Sequence, residues 1–408
     1  MISLQNMKIL DRREAKVLSA ISLVAGAFAA VVTAGGCCAV ETYPDPARSG
    51  AAPGVPERRF IWVLEDGMNG DCDWEATADW LKENDFTDVI VRLARGGVAF
   101  YESKVVPVSP LVKEKGDILR KAVAACHRRG VKVHAWKVFW RVNMAPEDYV
   151  ERLKAADRFM YGRYGTPFCG FWQTPNGERV AGAKDDYWMC PADPRNQEEE
   201  IAVCRELASL GVDGVQFDYI RYNSWYGCYC PRCRAAYESR CGHAVADWPH
   251  DVDPNVRMDP LWLRMRTETI TEVVRKATRA VKEANPACEV SAAVFRYPAN
   301  EPVYVAQDWG AWCREGIVDF VCPMTYTTDL EALRDQLVQQ MRVASVSPRT
   351  KVYPSVGVDR TGKPQMDAAK TREHADLVRW AGFPGLCYYR LTTPSGKVIN
   401  ESIKIKSK

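Results

Sequence analysis

The chain carries almost no net charge, +3 over 408 residues, and no long basic run. It therefore lacks the electrostatic footprint by which a protein grips nucleic acid, and no nucleic-acid partner is expected. No glycine-rich turn follows the first strand-like segment, so the phosphate cradle of a doubly wound nucleotide-binding sheet is missing. No internal repeat is visible beyond an alternation of strand-like and helix-like segments. Aromatic residues, by contrast, are plentiful. The 13 Trp and 17 Tyr suit a large core, and they suit equally the flat platforms on which sugar rings stack.

Charge is also absent from Val17 to Val40. Lys8, Arg12, Arg13 and Lys16 precede this run, and Ala34-Gly35-Gly36-Cys37 follows within it. The anatomy is that of an export leader (residues 1–40), with Cys37 as the expected lipidated residue of a lipoprotein processing box. The run is also long enough to span a bilayer uncleaved, and a plain secretory signal fits as well. All three readings export the remainder, and the lipoprotein reading places it in the cell envelope, lipid-anchored to a membrane. Residues 41–58, rich in Pro, Ala and Gly, read as a flexible tether.

From residue 59 onward, strand patterns alternate with helix patterns. The expected strands are Phe60–Glu65, Val89–Leu93, Val131–Val138, Val215–Ile220, Glu289–Phe295, Val318–Met324, Lys351–Val356 and Gly385–Tyr389. Eight such units imply parallel strands with right-handed crossovers, an α/β chain folded as a (β/α)8 TIM-type barrel over residues 59–395. Residues 396–408 read as a C-terminal tail. Two insertions follow strands three and four, Asn143–Met189 and Ser224–Pro260. The first carries Phe168, Phe171, Trp172, Tyr187 and Trp188.

The most telling stretch runs from Asp193 to Asn223. Asp193 suits a helix N-cap, with Pro194 at the first helical position and Gly211 as the stop. In the strand that follows, alternation puts Val215, Phe217 and Tyr219 on one side and Gln216, Asp218 and Ile220 on the other. Asp218 thus ends a buried strand at the face where parallel barrels place their chemistry.

Several segments, taken in order, resemble the glycosyl-hydrolase-like family 10 proteins, which include the YddW-type bacterial lipoproteins. They are Val89-Ile-Val-Arg92 with Gly96-Gly97, Tyr101 and Ser103; His127-Arg-Arg-Gly130 with His134-Ala-Trp136; and Trp188 with Pro191 and Asp193-Pro194. The last two are Asp213-Gly-Val-Gln-Phe-Asp-Tyr-Ile-Arg-Tyr222, and Val318-Asp-Phe with Pro323-Met-Thr-Tyr326. The resemblance covers residues 58–391 and implies a barrel, export and glycosidic-bond hydrolysis. A fainter likeness to chitinase-type barrels fails at the decisive place. Where those end their fourth strand in Asp-Gly-x-Asp-x-Asp-x-Glu, this chain has Gln216 and Ile220 in two of the acidic positions, so substrate-assisted chitinase chemistry is not expected.

Glycoside cleavage takes two carboxyls. Asp218 is the first, with an internal ion pair to Arg221 or Arg92 as the competing role. Glu65 or Asp66, leaving strand one, are the preferred second, ahead of Asp329 and Asp359 after strands six and seven. Asp213, before a glycine, reads as a turn residue. Gln216 is placed to hydrogen-bond Asp218 or a sugar hydroxyl. His134, Trp136, Trp188, Tyr219 and Tyr326 are the expected lining of a sugar subsite, and Arg92 and Arg221 could hold a carboxylated sugar. Cys228, Cys230, Cys233 and Cys241, just after strand four, suit a tetrahedral structural zinc, while export argues for two disulfides. No cofactor is expected for catalysis itself. The expected function is an exported glycoside hydrolase acting on a polysaccharide, peptidoglycan glycan strands or an environmental polymer, and anchored to a membrane by its lipid. The competing reading is a non-catalytic glycan-binding envelope lipoprotein on the same barrel.

Overall fold

The computed structural model describes residues 57–167, 186–225, 227–254 and 256–405. The leader with Cys37, nearly all of the tether, and the aromatics Phe168, Phe171 and Trp172 lie outside the described residues. Among the described residues, no helix is long and apolar enough to cross a membrane.

Eight parallel strands form the barrel: Arg58–Val63, Asp88–Arg95, Lys132–Val138, Gly214–Asp218, Glu289–Val294, Phe320–Pro323, a split seventh strand, and Gly385–Leu391. Each pairs with the next in sequence, and strand eight pairs with strand one. The seventh strand is interrupted at Pro354, which has no N–H to give a ladder. Its first half, Lys351–Val352, pairs with strand six, and its second half, Ser355–Gly357, pairs with strand eight. The Tyr353 N–H still donates to Val321 O at 2.9 Å, and Cys387 N–H to Pro354 O at 3.0 Å, so the ring closes through the interruption.

Helices cover the outside, and an aspartate begins most of them. Asp73, Asp117, Asp193, Asp259, Asp308, Asp329 and Asp367 each accept a backbone N–H of the first turn. Such caps contribute about 1 kcal/mol each and fix where each crossover leaves its loop. The last helix, Thr393–Lys404, packs on the helix Ala368–Trp380. Most of the expected tail is therefore the eighth barrel helix. At the other end Glu57 pairs with Arg379 at 2.8 Å, so the fold begins before strand one.

Two cores result. The larger lies between sheet and helices. The smaller fills the barrel lumen with Phe60, Trp62, Ile90, Trp136, Phe320, Cys322, Tyr353 and Cys387. The lumen is thus a packed column that closes the bottom and leaves only the strand C-termini for chemistry.

Candidate active site

The lumen's bottom layer is ionic. Arg58 reaches Glu289 with both terminal nitrogens, at 2.9 and 3.0 Å, and also binds Asp88. His134 Nε2 lies 2.9 Å from Asp88 Oδ1, with the ring edge-on to Phe60 and Phe320. His134 is fully buried. Its expected place in a sugar subsite is corrected: it sits near the start of its strand, beneath aromatic layers that separate it from the mouth. Asp88, His134 and Glu289 also lie close enough to share a cation, but the Arg58 guanidinium already supplies the positive charge there.

One layer up, Trp62 Nε1 donates to Gln216 Oε1 at 2.6 Å. The Gln216 amide nitrogen faces Ser291 Oγ at 3.4 Å and Cys322 Sγ at 3.5 Å. Gln216 is fully buried and holds Trp62 in place, so it bonds neither Asp218 nor a sugar. Strand alternation had put it on the same side as Asp218, which is right, but the two are a full layer apart.

The mouth is built around Asp218. Trp136 Nε1 donates to its Oδ2 at 3.0 Å, and the Tyr219 N–H donates to its Oδ1 at 2.7 Å. Arg221 Nη1 lies 3.7 Å away. Burial pushes the Asp218 carboxyl above its ordinary range, while Arg221 and these two N–H groups pull the other way. The strand ends at Asp218, and Tyr219 takes a left-handed backbone (φ 56°). This break in alternation swings Tyr219 toward the mouth, where Arg221 and Arg141 flank its ring at 4.2 and 5.6 Å. A non-glycine residue in this conformation costs about 1–3 kcal/mol, and such strain gathers at functional sites.

Trp188 is only 1% exposed and packs behind Tyr219 at 5.4 Å between ring centroids. It backs the wall of the mouth and is not part of its surface, which corrects its expected place in a sugar subsite. Tyr326 stacks on Tyr389 at 4.7 Å, and both phenols are pushed up by burial with Asp218 close by. Gly357 makes this possible, because a Cβ there would sit 2.9 Å from the Tyr326 side chain.

Of the expected second carboxyls, Glu65 has both oxygens engaged by Arg92, at 2.6 and 2.8 Å. Arg92 in turn lies over the Trp136 ring at 5.5 Å, so strands one to four are linked to Asp218 through side chains. Asp66 is half-buried, and its carboxyl is raised by burial and by the neighbouring Glu65. Asp329 caps its helix, and Asp359 accepts from Thr361 N, Gly362 N and Thr392 Oγ1, so both are structural. Asp213 accepts from Val133 N at 2.8 Å and holds a turn, as expected.

Two residues were missed by sequence reasoning. Glu301, in the short helix after strand five, is buried, with its carboxyl pushed up to about 7 by desolvation against the pull of Tyr297 N–H and Arg221. Its only sequence signal is an acid in the loop after a barrel strand, shared with many others. Arg95, at the end of strand two, has no carboxylate partner among the described residues, and burial and repulsion from Arg92 and Arg141 lower its pKa.

The cysteine group also differs from expectation. Cys190, from the loop after strand three, joins Cys228, Cys230 and Cys233, whose sulfurs all lie within 4.8 Å of one another. Cys241 is not among them, because it is partly exposed and its thiol donates to Glu238 O and His243 O. The seven-residue spacing carried Cys241 to the far end of the helix Pro231–Cys241.

Comparison with known proteins agrees with this geometry. The β-galactosidase from Rahnella sp. R3 superposes with a TM-score of 0.58 at 13% identity, over 86% of this chain and 56% of that one. The catalytic domain of the β-amylase from Paenibacillus polymyxa gives 0.54 at 10% identity, over 85% and 94%. At such identities the likeness shows the fold alone, a TIM barrel. A curated relative, glycosyl hydrolase DigH of Escherichia coli (strain K12), is 24% identical over 313 residues, spanning 70% of this chain and 65% of the relative. The family model described as glycosyl hydrolase-like 10 matches residues 71–369. With most of its length matched, the chain belongs to the glycosyl hydrolase-like 10 family.

Proposed function

We propose that this chain hydrolyses glycosidic bonds in an anionic polysaccharide, with Asp218 as the reacting carboxyl. The observation that carries the reading is the placement of Asp218: a buried carboxyl at the C-terminal end of strand four, ringed by Trp136, Tyr219, Tyr326 and Tyr389. Aromatic faces suit sugar rings, and a fixed carboxylate suits the positive charge that develops at an anomeric carbon. Glu301 is the candidate proton donor. A carboxyl that titrates near 7 is half protonated at neutral pH and can both give and recover a proton, and it lies beside Arg221, which also faces Asp218. Asp66 is the second candidate for that role.

The substrate class follows from Arg95. A guanidinium without a carboxylate partner, beside Arg92, Arg141 and the Tyr219 ring, suits a carboxylate on the incoming sugar. Peptide-free peptidoglycan glycan strands, whose alternate sugars bear a free carboxyl-ended ether, meet that requirement, and the uncharged run that holds Cys37 supports delivery to the envelope. The test is to incubate the full chain in detergent with purified peptidoglycan, its peptide-free glycan strands and neutral polysaccharides, with product masses as the readout. Cleavage of the anionic polymers that is lost in D218N and E301Q supports the proposal. Tight binding without products supports the non-catalytic alternative, and cleavage of neutral glycans alone refutes the substrate class.

A further inference from the structure

We propose that Cys190, Cys228, Cys230 and Cys233 bind one structural zinc ion that ties the loop after strand three to the loop after strand four. Four thiolates about 2.3 Å from a tetrahedral zinc lie about 3.8 Å from one another. Cys190 Sγ lies 3.8 Å from Cys230 Sγ and 3.6 Å from Cys233 Sγ, and all four sulfurs fall within 4.8 Å. All four residues are buried, as a closed structural site requires.

The backbone prepares the site. Gly227, at φ 139°, lies against Tyr161 O, where a Cβ would come to 3.3 Å, and so admits Cys228. The Tyr161 N–H donates to Cys228 Sγ at 3.3 Å. Cys230 is the N-cap of the helix Pro231–Cys241, and Cys233 sits in its first turn, where the helix dipole favours thiolate. Such bonds to a ligand's sulfur are typical outer supports of a metal site.

An independent observation concerns Arg266. This side chain is fully buried, and among the described residues no carboxylate pairs with it. Its guanidinium donates to the carbonyls of Ser224 and Trp225 and lies over the Tyr222 ring at 4.6 Å. A buried, unneutralised cation is costly. The nearby groups that metal binding would make negative at neutral pH are the cysteines Cys233 and Cys228. A zinc ion with four thiolates carries two net negative charges, which supply the missing counter-charge.

The consequence reaches the mouth. Cys190 follows Trp188, which backs Tyr219, and Asp186, which holds Arg141 at 2.7 and 2.9 Å. The ion therefore fixes the wall beside Asp218 without touching substrate.

The experiment is metal analysis of the full-length chain, purified in detergent with no added metal, together with X-ray absorption at the zinc edge. About one zinc per chain with sulfur neighbours near 2.3 Å is expected for wild type and for C241S. In C190S the zinc content should fall at least about fivefold, and the thermal midpoint should drop. Because C190S could fail to fold, wild-type protein is also alkylated under denaturing, non-reducing conditions and mapped by mass spectrometry. All four cysteines should be recovered as free thiols. Disulfide-linked peptides among these four, an iron-containing chromophore in place of zinc, or zinc lost in C241S but kept in C190S would each overturn the proposal.

Discussion

Replacing Asp218 by Asn keeps the shape of the mouth and removes its buried ionisable carboxyl. The structure sets the size of the effect. The carboxylate accepts Trp136 Nε1–H on one oxygen and the Tyr219 N–H on the other. An amide offers one acceptor, so its NH2 must face one of those donors, and a buried unmade bond costs about 1–3 kcal/mol. A second contribution has the opposite sign. Burial raises the folded-state pKa of Asp218 above its ordinary value, so the folded protein holds that proton more tightly than the unfolded chain does. The carboxyl then costs no stability below its unfolded pKa, and costs progressively more as pH rises through the folded pKa. D218N is free of this cost. Its stability deficit, read by urea denaturation of the full chain, should be largest near pH 4 and should shrink toward pH 7. Turnover at neutral pH should fall by at least about 100-fold with substrate binding retained. Wild-type turnover would refute the catalytic role. A deficit that grows with pH would show instead that the charged pair with Arg221 is net stabilising, and that Asp218 is a structural anion.

Three further outcomes follow from the geometry and a fourth from the sequence. E301Q should lose turnover by at least about 100-fold, and wild-type activity should decline as pH rises past about 7, where Glu301 gives up its proton; a pH profile with no alkaline limb there removes Glu301 from the reaction. R92A breaks a largely buried, two-bonded pair with Glu65 and should cost about 3 kcal/mol in denaturant, whereas an exposed pair would lose under about 1. H134A, at the closed end of the lumen, should lower the thermal midpoint and leave KM unchanged; an altered KM would place His134 at the substrate after all. C37S should block lipid attachment, giving a precursor of higher mass that leaves the membrane fraction differently on detergent extraction; a mature N-terminus elsewhere would refute the lipoprotein leader.

The barrel was legible because its signals are local. A capping Asp, a helical apolar face, a stop and an apolar strand recur within each crossover, and a parallel sheet requires nothing more to order its strands. The position of Asp218 was legible for the same reason, since the C-terminal end of a strand in such a sheet lies at the mouth. Depth within the lumen was not. Alternation states which side of a strand a residue occupies but not its height, so His134, Gln216 and Trp136 read alike. In space they stand at the ionic floor, in the middle layer and at the rim.

The cysteines expose a second limit, and it bears on how this family member builds its site. Spacing favoured Cys241, the nearest fourth thiol in the chain, yet the helix Pro231–Cys241 carries that residue away from the other three. Cys190 lies 38 residues before Cys228 and is brought back by the helix Pro194–Ala208 and strand four. Its carbonyl accepts the Asn196 amide at 2.9 Å, which ties it to the start of that helix. The helix that delivers Asp218 to the mouth therefore also delivers the fourth thiol to the cluster. A long loop after a barrel strand needs an anchor. Placing that anchor just beyond the C-terminal end of strand four couples the loop's position to that of Asp218, so a loss of the cysteine cluster should first appear as disorder around Tyr219 and Arg141, before the barrel itself weakens.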